Sequence, residues 1–392
     1  MAHSRALPRP LQLIVDNSLL LILGTLVALV WANVDLEHYH DYAHLLHFAA
    51  NDIGMVFFFA LATKEVFEAT LPGGPLSSPR QAAVPLVAAV GGMLAPAGLY
   101  LAAAMLLDHG EMMRGWAIPT ATDIAFSYLV ARMVFPRGHA AIPFLLLLAI
   151  ADDAMGLVVL AVFYPSGELA LLQLVAILVP ALGLAWVLRR SGVRSFWFYV
   201  LGPGGLSWIA LYTGGIHPAL ALVPIVPFMP HEKVAIRPFG GRPAISANTM
   251  HEFEEWWKLP VQVVLMLFGF ANAGVPVSSV GFVTWVVLGS LVIGKPLGIV
   301  LTTWLAERAG FERTDDLDYP ALVVLGVAAG IGFTVALFFT TAAFRPGLVL
   351  DEAKMGALLS FFAAPMALLL GRMVKLRKHR SAGRRVADQA DQ

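Results

Sequence analysis

Residues 141–164 read AIPFLLLLAIADDAMGLVVLAVFY, an apolar run whose only charged side chains are two adjacent aspartates, Asp152 and Asp153. A helix needs about 20 apolar residues to cross the hydrocarbon of a bilayer, and this run is long enough. It offers no polar face to water, so lipid is the medium that suits it. A charge at the middle of a membrane helix costs about 2.5–3.5 kcal/mol on insertion scales. Two carboxylates at that depth mark a helix built around a function rather than a plain anchor.

The rest of the 392 residues has the same character. Charged residues are 13% of the chain, the hydrophobic fraction is 58% and mean hydropathy is +0.76; a soluble protein carries about 25% charged residues. The 26 basic and 26 acidic residues cancel, so no basic surplus points to nucleic acid. The absence of cysteine excludes a disulfide scaffold, a thiolate metal site and cysteine catalysis.

Runs free of Asp, Glu, Lys and Arg extend over Asn17–Val34, Gln81–Leu107, Leu169–Leu188, Ser195–Pro230, Leu259–Gly294 and Tyr319–Phe344. Divided at Gly214-Gly215 and at Gly274-Val275-Pro276, they give eight spans, and four further apolar stretches that carry ionisable residues complete an all-α polytopic membrane protein with twelve spans. The spans lie near 12–32, 47–69, 82–107, 117–135, 141–164, 168–188, 195–213, 215–229, 259–275, 280–304, 320–343 and 354–375. The first is not read as a cleaved signal peptide, because no small-residue cleavage site follows it. With the N-terminus inside, 22 of the 26 Lys and Arg residues fall on the cytoplasmic side, which places both termini there. Residues 1–375 read as one integral-membrane domain and 376–392 as a basic, polar tail. In the longest inner loop, His231–Lys258, the acidic and aromatic end is expected to lie along the membrane surface.

Four ionisable residues sit at depth: Asp123, Asp152, Asp153 and Lys295. Three acids and one base pair only in part, so the surplus carboxylates take protons, bind cations or face water. Lys295 paired with one aspartate merely to lock the bundle leaves two acids unexplained. Asp123 lies in Ile118-Pro119-Thr120-Ala121-Thr122-Asp123, where proline and small polar residues favour an interrupted helix. Freed carbonyls and the Thr122 hydroxyl there are oxygen ligands of the kind a hard cation prefers. Ala329-Gly330-Ile331-Gly332-Phe333-Thr334 has the same look seven spans later, and two such breaks point to a transporter's ion site. Side chains 152 and 153 diverge by about 100° on a helix, so one can face an ion cavity while the other meets Lys295. Their mutual repulsion suits the pair to exchanging protons.

Weaker candidates are Asp52 and Glu65, near opposite faces of the second span, where Glu65 equally suits a helix end, and His217, which suits a helix end better than a sensor. Asp16 reads as interfacial.

Gly115–Phe126, Ala149–Asp153, Phe270–Val275, Ile293–Ile299 and Gly330–Thr334 together resemble the signatures of NhaA-type sodium/proton antiporters, in family order over about residues 10–375. The resemblance implies a twelve-helix fold of inverted repeats with two interrupted helices crossing mid-membrane. It implies exchange of cytoplasmic Na⁺ or Li⁺ for external H⁺, electrogenic and pH-regulated, in a bacterial inner membrane, with no enzymatic activity and no resident cofactor. Asp153 would be the principal cation carboxylate, with Asp152 and Thr122 beside it. Asp152 would pair with Lys295 and exchange protons, and Asp123 would compensate the facing helix ends. The expected partners are the transported ions, membrane lipid and, as an open alternative, a second copy of the chain. His217 keeps the family histidine but is followed by Pro218 where a small non-proline residue is usual, and two further places depart from the family pattern. Val66-Phe67-Glu68-Ala69 follows Glu65 where basic residues are usual, and His251-Glu252-Phe253-Glu254-Glu255 precedes the ninth span. Both fall in the family's cytoplasmic pH-sensing region, so Glu65, Asp52, His217, Glu252 and Glu254 are the candidate sensing or ion-access residues. The competing readings are an intramembrane aspartyl enzyme, whose usual Gly-x-Gly-Asp is missing, and a passive cation channel.

Overall fold

The apolar runs fold as helices because a backbone in lipid must satisfy its own hydrogen bonds. The computed structural model describes residues 18–77, 79–136, 138–231, 249–311, 313 and 317–374. Asp16 and the tail at 376–392 lie outside them. In chain order the helices are α1 (Leu19–Val34), α2 (Leu36–His47), α3 (Met55–Thr70), α4 (Pro79–Leu106), α5 (Ile124–Val134), α6 (Ala141–Phe163), α7 (Leu171–Arg190) and α8 (Phe196–Tyr199). There follow α9 (Gly205–Gly214), α10 (Thr249–Ala273), α11 (Phe282–Gly289), α12 (Lys295–Arg308), α13 (Tyr319–Ala329), α14 (Phe333–Ala343) and α15 (Leu348–Leu359). No strand occurs among the described residues. Among them, six helical runs are long and apolar enough to cross a membrane, or seven if α13 and α14, bent by 51°, form one span. The protein is thus a multi-pass membrane protein.

The chain divides into two compact units. One comprises Met1–Ser78 and Asp153–Ser278, the other Pro79–Asp152 and Ser279–Gln392. In the first unit α1 lies against α10, and glycines set how closely: a Cβ at Gly24 would collide with the Met266 backbone. α7 packs on α9 while Leu171, Leu172, Val175 and Val179 stay exposed, as lipid-facing residues should. In the second unit α4 packs on α12, and a Cβ on Gly298 would run into the Gly91 carbonyl. Small residues let membrane helices approach to backbone contact.

Two sequence expectations are corrected. The eighth span, 215–229, is not an α-helix. Gly215 takes a left-handed conformation, and two short 3₁₀ turns, Pro218–Leu220 and Val226–Phe228, are joined by turns. Pro218, Pro224 and Pro227 remove the donors a regular helix needs. The acidic and aromatic end of the long inner loop is no separate surface helix: His251–Trp257 forms the first turns of α10. Phe253 is buried there, and Trp257 stacks on Phe57 at 3.4 Å between ring centroids, so the segment is held by packing. The polar stretch after the first span, on which the sequence gives no reading, is helical. Asp35 caps α2 by accepting from the His38 N–H, and its hydrogen bonds with His38 hold its carboxyl below the usual value.

Candidate ion site

In the second unit the chain breaks twice. A 3₁₀ helix, Gly110–Thr120, carries Pro119 to its end, and residues 121–123 run extended before α5 begins. α13 stops at Ala329, and α14 starts only after Gly330-Ile331-Gly332. Glycine is required here by crowding: a Cβ on Gly330 would press on the Leu291 carbonyl. The two breaks meet, because the Asp123 N–H donates to the Ile331 carbonyl at 2.7 Å.

Two helix N-termini converge on the Asp123 carboxylate. Its Oδ1 accepts from the Phe126 N–H at 3.4 Å, as the cap of α5. Its Oδ2 accepts from the Thr334 N–H at 3.2 Å and from the Thr334 hydroxyl, at the start of α14. Unpaired N–H groups give each N-terminus a partial positive charge, so one buried carboxylate offsets both.

One residue earlier, the Thr122 hydroxyl donates to Asp152 Oδ2 at 2.8 Å. Lys295 Nζ lies 2.7 Å from the same oxygen and 2.5 Å from Thr122 Oγ1. Lys295 follows a π-helical turn, Ser290–Gly294, and opens α12. Such turns redirect side chains and occur at functional places. Lys295 has no exposed surface and Asp152 only 3%. Asp152 Oδ1 is buried without a hydrogen-bond partner. Thr122, Asp123, Asp152 and Lys295 thus come together in this unit, and Thr334 joins them. Thr334 stood in a recognised motif, but nothing in the chain's spacing showed that it faces Asp123.

The remaining candidates belong to the first unit. Asp153, next to Asp152 on α6, is half-buried. Asp52 is half-buried, and its carbonyl accepts from Trp208 Nε1 at 2.8 Å. His217 Nδ1 accepts from the Ala219 N–H at 3.3 Å, the helix-end role. Glu65 and Glu252 are exposed. Glu254 is engaged by Lys64, a residue that the sequence did not single out. Lys64 Nζ lies 2.5 Å from Glu254 Oε2 and 2.6 Å from Glu68 Oε2. Also unforeseen is a reciprocal amide pair. Asn51 Nδ2 donates to Asn272 Oδ1 at 3.1 Å, and Asn272 Nδ2 returns a bond to Asn51 Oδ1 at 2.8 Å. Two buried asparagines in apolar runs were the available signal. No group of three or more His, Cys, Asp or Glu side chains among the described residues is placed to hold a metal ion.

Comparison with known proteins gives a match to the family described as Na⁺/H⁺ antiporter 1 over residues 11–371. The chain is 43% identical over 378 residues to a protein of Pelobacter propionicus named Na(+)/H(+) antiporter NhaA 1, covering 94% of this chain and 99% of that protein. It is 46% identical over 382 residues to Na(+)/H(+) antiporter NhaA of Desulfitobacterium hafniense, with 94% and 97% covered. Against the protein of that name from Jannaschia sp. it is 44% identical over 412 residues, with 93% and 98% covered.

Proposed function

The chain belongs to the Na⁺/H⁺ antiporter 1 family, and from that premise we propose that it expels cytoplasmic Na⁺ or Li⁺ in exchange for external H⁺, electrogenically, across a bacterial inner membrane. A member of this family is a transporter, not an enzyme. The observation that carries the reading is the buried network of Lys295, Thr122 and Asp152, with one Asp152 oxygen left unpartnered. A buried carboxylate with an unused acceptor can take up a proton or a cation without first losing a bond.

Asp153 supplies the principal cation carboxylate. One carboxylate does not hold a proton and a sodium ion together, so the two ions compete. Asp152 shares its charge with Lys295 and takes up a second proton when that pairing is redistributed. Loading two protons against one sodium ion moves net positive charge inward, and each such charge gains about 2.3 kcal/mol per 100 mV of potential. The membrane potential then drives extrusion. Asp123 keeps the two N-termini compensated through the cycle, so its own charge need not change. At the cytoplasmic ends of α3 and α10, Glu65, Glu252 and Glu254 draw cations in and set the pH response. Asp52 and His217 serve the first unit in the same capacity. Both termini lie in the cytoplasm, as the distribution of Lys and Arg supports.

The test uses the purified protein in proteoliposomes with a preset ΔpH. Added Na⁺ should dissipate it, with an apparent Na⁺ affinity that weakens by up to about tenfold per unit fall in pH where one proton competes. Under a potassium-diffusion potential clamped by valinomycin, the rate should follow the potential. No Na⁺-dependent proton movement refutes exchange, and indifference to the potential refutes electrogenicity.

A further inference from the structure

We propose that Ser360 is a positioning residue for ion exchange, sharing with Asp123 the task of compensating the α14 N-terminus. Ser360 follows the last residue of α15 and begins a 3₁₀ turn, Ser360–Phe362. It has no exposed surface. Its hydroxyl donates to the Ala357 carbonyl at 2.6 Å, which fixes the proton along its own helix. The oxygen's lone pairs then face the second break, accepting from the Gly332 N–H at 3.2 Å and the Phe333 N–H at 3.3 Å. Asp123 takes the next donor, the Thr334 N–H. The first three N–H groups at this N-terminus are therefore divided, two to a neutral hydroxyl and one to a carboxylate.

This division has a functional consequence. Without the hydroxyl, two buried N–H groups are left for Asp123 to satisfy, and the local potential becomes more positive. Asp123 adjoins Thr122, which bonds Lys295 and Asp152. A cation approaching Asp152 then meets that added positive potential, and the break is free to shift toward the carboxylate. Aromatic packing sets the position of Ser360: Phe361 lies against Phe126 of α5 and Phe333 of α14, with centroids 5.4 and 5.8 Å away. Phe126 and Phe333 meet each other edge-on at 5.6 Å. Three rings thus tie the starts of both half-helices to the turn that carries the hydroxyl.

The inference rests on the exchange reading, so wild-type protein in the same proteoliposomes serves as the control. Exchange absent from wild type overturns that reading, whereas exchange present in wild type leaves Ser360 open to its own test. Ser360→Ala should raise the Na⁺ concentration for half-maximal exchange about fivefold or more and displace the pH profile. Ser360→Thr, which keeps the hydroxyl, should restore both. A purely structural serine would lower thermal stability and leave half-saturation and pH profile at wild-type values, and that result overturns the proposal. If Ser360→Ala does not accumulate in the membrane, Ser360→Thr is compared with Ser360→Cys, whose sulfur is a weak acceptor. A clearly higher half-saturation concentration for the cysteine variant supports the role, and equal values refute it.

Discussion

Replacing Lys295 by methionine should be among the most destabilising single changes in the second unit. The two charges lie 2.7 Å apart with side-chain exposures of 0% and 1%. At an effective dielectric constant of 20, Coulomb attraction at that distance is about 6 kcal/mol. Much of it offsets the cost of taking both ions out of water, so the attraction overstates the net worth of the pair. Removing one partner of a buried pair is a different quantity, because it strands the other charge, and typically costs about 3–5 kcal/mol. The lower half of that range applies, since Thr122 still donates to Asp152 and a proton can neutralise the carboxylate. Lys295→Met should therefore lose about 3 kcal/mol of unfolding free energy in mixed micelles. Adding Asp152→Asn removes the stranded charge, and the double variant should recover about 1–3 kcal/mol of the loss. A single variant within about 1 kcal/mol of wild type, or a double variant no more stable than the single, refutes a stabilising buried pair.

Asp153→Asn should insert and fold normally yet show no Na⁺-dependent proton movement in proteoliposomes; undiminished exchange would remove Asp153 from the ion site. Gly298→Ala places a methyl group against the Gly91 carbonyl and forces α4 and α12 apart, at a cost of about 1–3 kcal/mol, read as a lower unfolding midpoint; an unchanged midpoint would mean that the helices are not in backbone contact. Asn272→Ala leaves the buried Asn51 Oδ1 without its Asn272 donor, while Asn51 Nδ2 keeps the His47 ring. Hydrogen bonds between membrane helices average about 0.6 kcal/mol, while a stranded buried group costs about 1–3 kcal/mol, so a loss near 1 kcal/mol is expected, and Asn51→Ala with Asn272→Ala should cost less than the sum of the two single changes.

Much of the protein is legible in the chain itself. Uninterrupted apolar runs place it in a bilayer, because only a helix or a closed barrel can cross lipid with its backbone satisfied. Four charges at depth announce themselves by their cost, and proline and glycine mark both breaks. What the chain does not reveal is who meets whom. Adjacent aspartates on a helix diverge by about 100°, which makes one of them Lys295's partner without saying which, and only the family resemblance pointed to Asp152. The fold chose Asp152, by bringing α6, α12 and the first break together. Lys64 bridging Glu68 and Glu254, the Asn51–Asn272 pair and Ser360 at the second break were hidden altogether. In each, at least one bond joins residues from 27 to more than 200 positions apart. The eighth apolar run failed as a helix for a related reason. Apolar composition states that a segment leaves water, while its conformation follows from which backbone donors its prolines remove. Burial is a property each residue carries into lipid alone, whereas a hydrogen bond or ion pair needs two groups at one place, and only the packed chain sets that distance.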